Sequence, residues 1–332
     1  MPRLLFLTQS GETLPSVRFR VLPFVQLARE AGVDADWMRY PKTALARAAF
    51  FARLPKTEII VLQKKLVSRV ELALLRSKAG KLFFDFDDAL WASHPNQGAC
   101  GGESDAGELA RLLRVCAGVD GVIAGNAFLA AKVREVSQRV DQISTPLDTQ
   151  KYVPGVAEHS GRPVVGWMGT SCNLFFLPEV FQALEPVGHK FLLSVISDAD
   201  YSIPKALSGS SERWDSEREV AQLQAMDIGL MPLTDDEYTR GKCGFKLLQY
   251  MACGVVPVAS DVGFNREIVT HGVDGFLAAT PDDFLEYVDR LASDQDLRLE
   301  MSARARETVV SKFGLSAAAL RLWDILGLST SS

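Results

Sequence analysis

The stretch that decides the fold is GKCGFKLLQYMACGVVPVAS, residues 241–260. Apolar residues recur at helical spacing from Phe245 to Cys253, and Gly254 marks the end of that pattern. Residues 255–258 then form a compact apolar run, which is typical of a buried strand. A helix that leads directly into a buried strand is a building unit of an α/β sheet.

Two glycines and two lysines stand at the start of this predicted helix. The first backbone N–H groups of a helix lack partners within it and lie at the positive end of its dipole, so they favour an anion. Lys242 and Lys246 are four residues apart and share one face. The stretch therefore predicts a diphosphate cradle, with Gln249 placed for sugar hydroxyls. The alternative is that both lysines only solvate a helix whose opposite face is core.

The same alternation of strands and helices extends outward in both directions. Apolar strands are predicted over 4–8, 59–62, 81–85, 121–124, 164–167, 191–195 and 228–231. A segment rich in Pro, Gly and polar residues interrupts the pattern over 145–163 and reads as a linker. We predict two α/β units in series, each with a parallel sheet, and a ligand in the cleft where the carboxyl ends of the strands face each other.

Composition excludes several classes of protein. The 332 residues contain no apolar run long enough to span a membrane, and the first residues read as a strand, so we expect a cytoplasmic protein. The five cysteines include no Cys-x-x-Cys pair, which argues against disulfides and structural zinc. The net charge is −5, and this argues against a nucleic-acid partner.

The charge is distributed unevenly along the chain. Residues 1–160 carry 21 basic and 17 acidic side chains, whereas residues 161–332 carry 15 and 24. The range 40–56 combines basic residues with Phe50 and Phe51. Such a segment can lie on an anionic membrane surface, which would place the protein at the inner membrane face. The alternative is a helix that packs its Phe face on the sheet.

The first half also holds polar residues at predicted strand ends. Asp87 and Asp88 follow the strand over 81–85, where one of them can orient or deprotonate a hydroxyl, or cap a helix instead. His94 lies downstream and can assist or be structural. Arg18 and Arg20 follow the loop after the first strand, and their planar guanidinium groups suit a donor or acceptor phosphate.

Several motifs together resemble the group 1 glycosyltransferases (glycosyltransferase family 4). The motifs are the 241–258 run, Val-Gly-x-Asn-x-Glu-Ile-Val at 262–269, Gly-x-x-Gly-Phe-Leu at 272–277, FDFDDALW at 84–91, Gly-Asn-x-Phe-Leu at 125–129, TPLD at 145–148 with Tyr152 and Pro154, and VGWMGT at 165–170. They cover most of the chain in the order that the family has.

This resemblance implies the GT-B fold, in which two Rossmann-like domains face each other across a cleft and a C-terminal helix crosses back to the first. We place the acceptor-side domain at 1–158, with the helix at 313–332, and the nucleotide-sugar domain at 159–312. The implied activity is sugar transfer to an acceptor hydroxyl, with retention and without a metal, on a glycan, lipid-linked or small-molecule acceptor. The implied donor-binding residues are Gly169, Thr170, Ser171, Lys242, Lys246, Gln249 for the ribose, and Asn265.

The sequence departs from the family pattern in two places. Family members commonly carry a Glu-x7-Glu pair, but here Gly241 takes the first position and Gln249 the second. The basic pair that often begins the second domain is also missing from 169–173. Asp235, Asp236 or Glu237 can supply the missing acid. Otherwise the chain is a non-catalytic nucleotide-sugar-binding or scaffold protein. The run Asp85-Phe86-Asp87 matches an Asp-x-Asp metal-binding motif. It lies in the first half of the chain and not in the nucleotide-sugar domain, so no metal is expected.

Overall fold

The computed structural model describes residues 3–12, 14–97, 101–155 and 161–328, and in these residues the chain forms two six-stranded parallel sheets. The first sheet contains β1 (Leu4–Thr8), β2 (Ala35–Arg39), β3 (Thr57–Gln63), β4 (Ala79–Phe86), β5 (Gly121–Ala124) and β6 (Val140–Gln142). The second contains β7 (Val164–Gly169), β8 (Leu192–Ser197), β9 (Gly209–Arg213), β10 (Ile228–Met231), β11 (Val256–Ser260) and β12 (Phe276–Ala278).

Helices cover both sheets. The first domain has α1 (Pro15–Arg20), α2 (Leu22–Glu30), α3 (Ala44–Arg53), α4 (Arg69–Lys78), α5 (Ala106–Ala117) and α6 (Ala127–Val133). The second has α7 (Leu177–Leu184), α8 (Glu219–Gln224), α9 (Glu237–Arg240), α10 (Phe245–Ala252), α11 (Asn265–Ile268), α12 (Pro281–Ser293) and α13 (Gln295–Lys312), followed by α14 (Leu315–Leu326). Short 3-10 helices lie at Ser171–Phe176 and Glu185–Lys190.

Strand order fixes where a ligand can bind. The second sheet runs β12-β11-β10-β7-β8-β9, which is the order of a dinucleotide-binding Rossmann sheet. The first sheet runs β2-β1-β3-β4-β5-β6. The chain changes direction between β7 and β10 in the second sheet, and between β1 and β3 in the first. Crevices therefore open at the carboxyl ends of these two strand pairs.

Burial and capping account for the local structure. All five residues of β1 are buried, as expected for a parallel strand that is covered on both faces. Ser68 and Glu71 form a capping box at the start of α4. At the other end of the chain, Gly327 adopts a φ of 70° and ends α14. The sequence thus sets element boundaries through a few capping residues and apolar runs.

Two regions differ from the prediction. The residue pattern over 17–31 predicts one continuous helix, but the helix is broken at Val21 because Pro23 can stand only in the first turn of a new helix. The residues over 208–214 are polar and predict no helix or strand, but they contain the edge strand β9. The residues of β9 form no apolar face, so the hydrophobic pattern of the sequence does not predict this strand.

The C-terminal helix returns to the first domain, as the family resemblance implies. The segment that leads back to the first domain lies beside the segment that leaves it, and there the Leu147 N–H donates to the Phe313 carbonyl at 3.0 Å. Trp323 of α14 then packs edge-on against Phe24, with ring centroids 6.2 Å apart. The GT-B architecture is confirmed. The proposed boundary between residues 158 and 159 lies outside the described residues.

The basic segment over 40–56 forms α3 and its flanks. Phe51 is buried, and Phe50 packs on Tyr40 at 5.7 Å between ring centroids, so the aromatic residues face the first sheet. Leu45 on the same helix is 84% exposed. Among the described residues, no helix has both the length and the apolar character needed to cross a bilayer.

Candidate functional site

The predicted diphosphate cradle lies at the crevice of the second sheet. Lys246, on the first turn of α10, places its Nζ 4.2 Å from the ring centroid of Trp167 on β7. A Cβ at Gly169, where β7 ends, would lie 2.8 Å from that Nζ. Glycine at 169 therefore makes room for the lysine at the switch point. Gly244 stands before α10 with a φ of 57° and has no side chain to cap the helix.

Within the described part of the chain, neither Lys242 nor Lys246 has a carboxylate within 4.0 Å. Lys242 Nζ instead lies 3.5 Å from the Tyr238 hydroxyl oxygen and 4.6 Å from its ring centroid. Burial, together with the charge of Lys242, lowers the pKa of Lys246 to about 7. Two partly desolvated cations without a counter-ion form a site for an anion.

Thr170 and Ser171 lie at the rim of this cradle, and both are exposed. The Ser171 N–H donates to Asp198 Oδ1 at 2.6 Å, and Asn173 Nδ2 donates to the Thr170 hydroxyl at 2.8 Å. Burial would raise the pKa of Asp198, but the bonds from Ser171 hold it below its usual value. The Ser171 amide is thus already aimed at an anionic oxygen, one that a ligand phosphate can replace. Nothing in the sequence pattern pointed to Asp198.

Gln249 lies in a buried polar cluster that the sequence did not predict. Its Nε2 donates to Glu219 Oε1 at 3.2 Å. Glu219 also accepts from the Tyr152 hydroxyl at 2.8 Å and from Arg18 Nη2 at 2.7 Å. A carboxylate from α8 thus lies next to the amide at 249. No local motif marks Glu219, because its partners are 30 to 201 residues away in sequence.

Arg18 and Arg20 take different positions. Arg18 reaches the cleft as predicted and joins the two domains through Glu219. Arg20 is only 2% exposed, and its Nη2 and Nε donate to Asp85 at 2.8 and 2.9 Å. Its Nη1 donates to the Ile143 carbonyl at 2.7 Å. The expectation that Arg20 contacts a ligand phosphate is therefore corrected: its donors serve the interior of the first domain.

Asp87 and Asp88 lie at the carboxyl end of β4, and both contact Lys64. Lys64 Nζ is 3.1 Å from Asp87 Oδ1 and also pairs with Asp88 Oδ2. Burial would raise the pKa of Asp87, but Lys64 and Arg20 keep it below its usual value. Asp87 is 8% exposed, whereas the side chain of Asp88 is 41% exposed. Of the two, Asp88 is the carboxylate that a substrate in the cleft can reach.

His94 is carried by the first domain but packs against the second. Its ring centroid is 4.9 Å from that of Tyr238 and 5.6 Å from that of Phe176. The Asn96 N–H donates to Nδ1 at 3.2 Å, and within the described residues the buried Nε2 has no hydrogen-bond partner. The structure thus brings His94 close to Tyr238, the tyrosine that contacts Lys242.

Asn265 is buried beside the cradle and not exposed in it. Its Nδ2 donates to the Ser260 carbonyl at 2.9 Å, and the residue is 2% exposed. Its Oδ1 lies 3.6 Å from the position that a Cβ at Gly244 would take. Asn265 therefore supports the turn before α10 from behind.

The position of the missing family acid is filled by the first domain. A Cβ at Gly241 would lie 2.5 Å from the Cβ of Ala89, which shows direct contact between the domains there. Asn126 Nδ2 donates to the carbonyls of Arg240 and Lys242 at 3.2 and 3.0 Å. The first domain thus holds the cradle loop directly, with no room for a side chain at 241.

The three acids that could have replaced it are engaged elsewhere. Asp235 pairs with Arg240 at 2.6 Å, and Asp236 accepts from the Thr239 N–H at 2.9 Å as the cap of α9. Glu237 bridges to the first domain, where it pairs with Lys132 at 3.1 Å and accepts from the Trp91 indole N–H. These bonds hold the loop that carries Lys242 in place. They leave none of the three carboxylates pointing toward the cradle.

Comparisons with known proteins agree with this geometry. Residues 215–308 match the family model for glycosyl transferases group 1. N-acetyl-alpha-D-glucosaminyl L-malate synthase of Bacillus anthracis is 34% identical over 96 residues, which is 28% of this chain and 24% of that protein. The GDP-Man:Man(3)GlcNAc(2)-PP-Dol alpha-1,2-mannosyltransferase of Dictyostelium discoideum is 35% identical over 87 residues, 26% of this chain and 16% of that protein.

The matched segment spans about a quarter or less of these curated relatives. A solved structure covers more of the chain: Anabaena Alr3699/HepE in complex with UDP and glucose superposes with a TM-score of 0.73. It covers 98% of this chain and 100% of its own, at 14% identity, so the likeness is one of fold. The second domain thus contains the segment that matches the group 1 glycosyl transferase model, and the whole chain has the GT-B fold.

Proposed function

We propose that this chain is a glycosyltransferase that moves a sugar from a nucleotide-sugar donor to an acceptor hydroxyl. The observation that carries the proposal is the pair Lys242 and Lys246, which has no carboxylate partner among the described residues and lies at the crevice of a Rossmann sheet. The group 1 match over residues 215–308 covers the same pair. A diphosphate is an anion that suits two lysines at a helix start, one in the loop before α10 and one on its first turn.

The chemistry follows from the charges. As the bond between the anomeric carbon and the β-phosphate oxygen breaks, negative charge grows on the diphosphate, and Lys242 and Lys246 stabilise it. The acceptor oxygen forms the new bond to the anomeric carbon, and its proton leaves toward a base. Asp88 is the exposed carboxylate on the acceptor side of the cleft. The nucleoside diphosphate then departs.

A titration tests the donor site. UDP-glucose, UDP-N-acetylglucosamine and GDP-mannose are titrated into the protein by calorimetry, first wild type and then Lys246→Met. We expect one donor to bind and its Kd to rise about tenfold or more in the variant, the size of one charge-assisted contact. The matched control is Lys205→Met, an exposed lysine of the same domain, which should leave the Kd unchanged. A folded protein that binds none of the three donors would contradict the proposal.

Two finer points belong to the same proposal. The lysines and the free amides of α10 supply the charge that a metal ion would otherwise provide, so transfer should continue in EDTA. The family resemblance supports retention of the anomeric configuration, which NMR of the product determines. Loss of transfer in EDTA, or a product of inverted configuration, would refute the respective point and leave the transferase assignment in place.

We further propose that the exposed face of α3 contacts an anionic membrane surface. Residues 39–81 carry 11 basic side chains against Glu58 and Glu71. Leu45 on α3 and Val70 on α4 are 84% and 70% exposed, and Arg47 joins the two helices through Glu71 at 3.1 Å. Charge and apolar area on one surface are what an acidic bilayer attracts.

Vesicle sedimentation tests this contact. The protein should pellet with phosphatidylcholine vesicles that contain phosphatidylserine, and not with phosphatidylcholine alone. Leu45→Asp should reduce the bound fraction, whereas Leu320→Asp, at a leucine that is 66% exposed on α14, should not. Equal sedimentation with both kinds of vesicle, or equal effects of the two variants, would contradict the proposal.

A further inference from the structure

Lys64 has an unusual backbone conformation where β3 ends. Its φ is 59°, and within the described ranges it is the only non-glycine residue with a positive φ. A side chain in this region costs free energy that glycine avoids, so the surrounding structure must hold it there. The Lys64 N–H donates to the Asp85 carbonyl at 2.8 Å, which fixes the turn beside β4. Such strain at the carboxyl edge of a sheet is typical of a functional position.

The conformation directs the ammonium group into the acidic cluster. The Lys64 side chain is 13% exposed, and its Nζ contacts the carboxylates of both Asp87 and Asp88. Asp87 is fixed by further bonds: the Thr145 hydroxyl donates to it at 3.3 Å, and Cys243 of the second domain donates to its carbonyl at 3.1 Å. Asp88 is partly exposed and has Lys64 as its ion-pair partner.

The orientation of Asp88 matters because of what lies beside it. Asp88 stands between two residues that contact the cradle loop. Cys243 donates to the Asp87 carbonyl at 3.1 Å, and the backbone nitrogen of Ala89 lies 2.7 Å from the position that a Cβ at Gly241 would take. The partly exposed Asp88 carboxylate of the first domain thus lies beside the cradle loop of the second. Without a fixed partner, this carboxylate would be free to turn away from the acceptor hydroxyl. The Lys64 ion pair prevents that by holding it on the acceptor side.

We propose that Lys64 is a positioning residue for sugar transfer: it holds the Asp88 carboxylate toward the acceptor hydroxyl. The inference rests on the proposed transferase function. Lys64 itself does not touch the reacting atoms. Its effect on the reaction passes through Asp88, and this dependence can be measured.

The test is a double-mutant cycle of Lys64→Met and Asp88→Asn, with sugar transfer and donor affinity measured for each variant. We expect Lys64→Met to lower kcat about 10- to 100-fold, the range for residues that orient a functional group. The nucleoside diphosphate Kd should stay within twofold because the cradle lysines are intact. The double variant should be no slower than Asp88→Asn alone, since residues that act as one unit are non-additive. Lys64→Arg should recover part of kcat.

Two controls separate this role from a role in folding. Lys64→Gly relieves the positive φ and should unfold no earlier than Lys64→Met, yet lose kcat equally. Lys65→Met, at the neighbouring lysine, should keep wild-type kcat. Full kcat in Lys64→Met or Lys64→Gly, or additive effects in the cycle, overturns the inference and leaves the transferase intact. A wild-type protein that turns over no donor overturns the proposed function, and this inference with it.

Discussion

The pKa of Lys246 makes donor binding depend on pH in a defined direction. Burial and the neighbouring Lys242 charge lower this pKa to about 7 in the free protein. A bound diphosphate favours the charged lysine and returns its pKa toward the ordinary value of about 10.4. Affinity is therefore greatest below pH 7 and falls as the pH rises, because at higher pH binding must also protonate the lysine.

The size of the effect follows from the fraction of charged lysine. With a pKa of about 7, roughly nine tenths of the side chain is charged at pH 6 and roughly one tenth at pH 8. The Kd should thus rise about tenfold between these two values, or about 1.4 kcal/mol in binding free energy. Binding at pH 8 should take up about 0.9 proton per ligand.

Calorimetry with an intact nucleotide-sugar measures both quantities. In a nucleotide-sugar the terminal phosphate is esterified by the sugar, so it lacks the ionisation near pH 6 that a free terminal phosphate has. Titrations in two buffers of different ionisation enthalpy give the number of protons taken up. Lys246→Arg keeps its charge at every pH and should bind with a flat profile. Lys242→Met removes one cause of the shift, so the midpoint should move to higher pH.

A Kd that stays within twofold from pH 6 to pH 8, without proton uptake, would refute this reasoning. So would a pH profile in Lys246→Arg that matches the wild type. Either result would mean that a group other than Lys246 neutralises the diphosphate.

Three further outcomes are expected. Arg20→Met should lower the free energy of unfolding by about 3–5 kcal/mol in urea denaturation, because it leaves a buried carboxylate unpaired; a loss below about 1 kcal/mol would contradict its structural role. Arg18→Met should increase the radius of gyration in X-ray scattering, since it breaks the ion pair to Glu219 across the cleft; an unchanged radius would show that other contacts keep the domains together. Gly241→Glu should reduce transfer and not restore it, because its Cβ would lie 2.5 Å from the Cβ of Ala89; higher kcat would show that the domains separate easily there.

Much of the fold could be predicted from the sequence. The strands at Leu4–Thr8, Gly121–Ala124 and Ile228–Met231 match their predicted bounds because each is a short apolar run with a clear end. The strands β2, β6, β9 and β12 were not predicted, since each is a sheet edge of only three to five residues. Sheet edges carry a weak hydrophobic signal.

The candidate site, too, could be predicted from the sequence only in part. Lys242 and Lys246 could be paired from sequence because they are four residues apart. The expected shared helix face is wrong, since α10 begins at Phe245 and Lys242 lies in the loop before it. Arg18 and Arg20 could not be told apart, although about 200° of rotation along a helix separates them. Only the packed domains decide that one faces Glu219 in the cleft and the other Asp85 in the core.

By itself, the sequence determined two parallel α/β domains and a lysine cradle at a helix start, since these depend on contacts between near neighbours in the chain. Tertiary structure decided that Lys64 holds Asp88, that Glu219 lies beside Gln249, and that Ala89 fills the place of a missing acid. These partners are distant in sequence, 152 residues apart for Ala89 and Gly241. Lys64 and Asp88 meet because β3 pairs with β4, Glu219 and Gln249 meet within the second domain, and Ala89 and Gly241 meet only where the two domains pack. No local sequence pattern specifies these contacts.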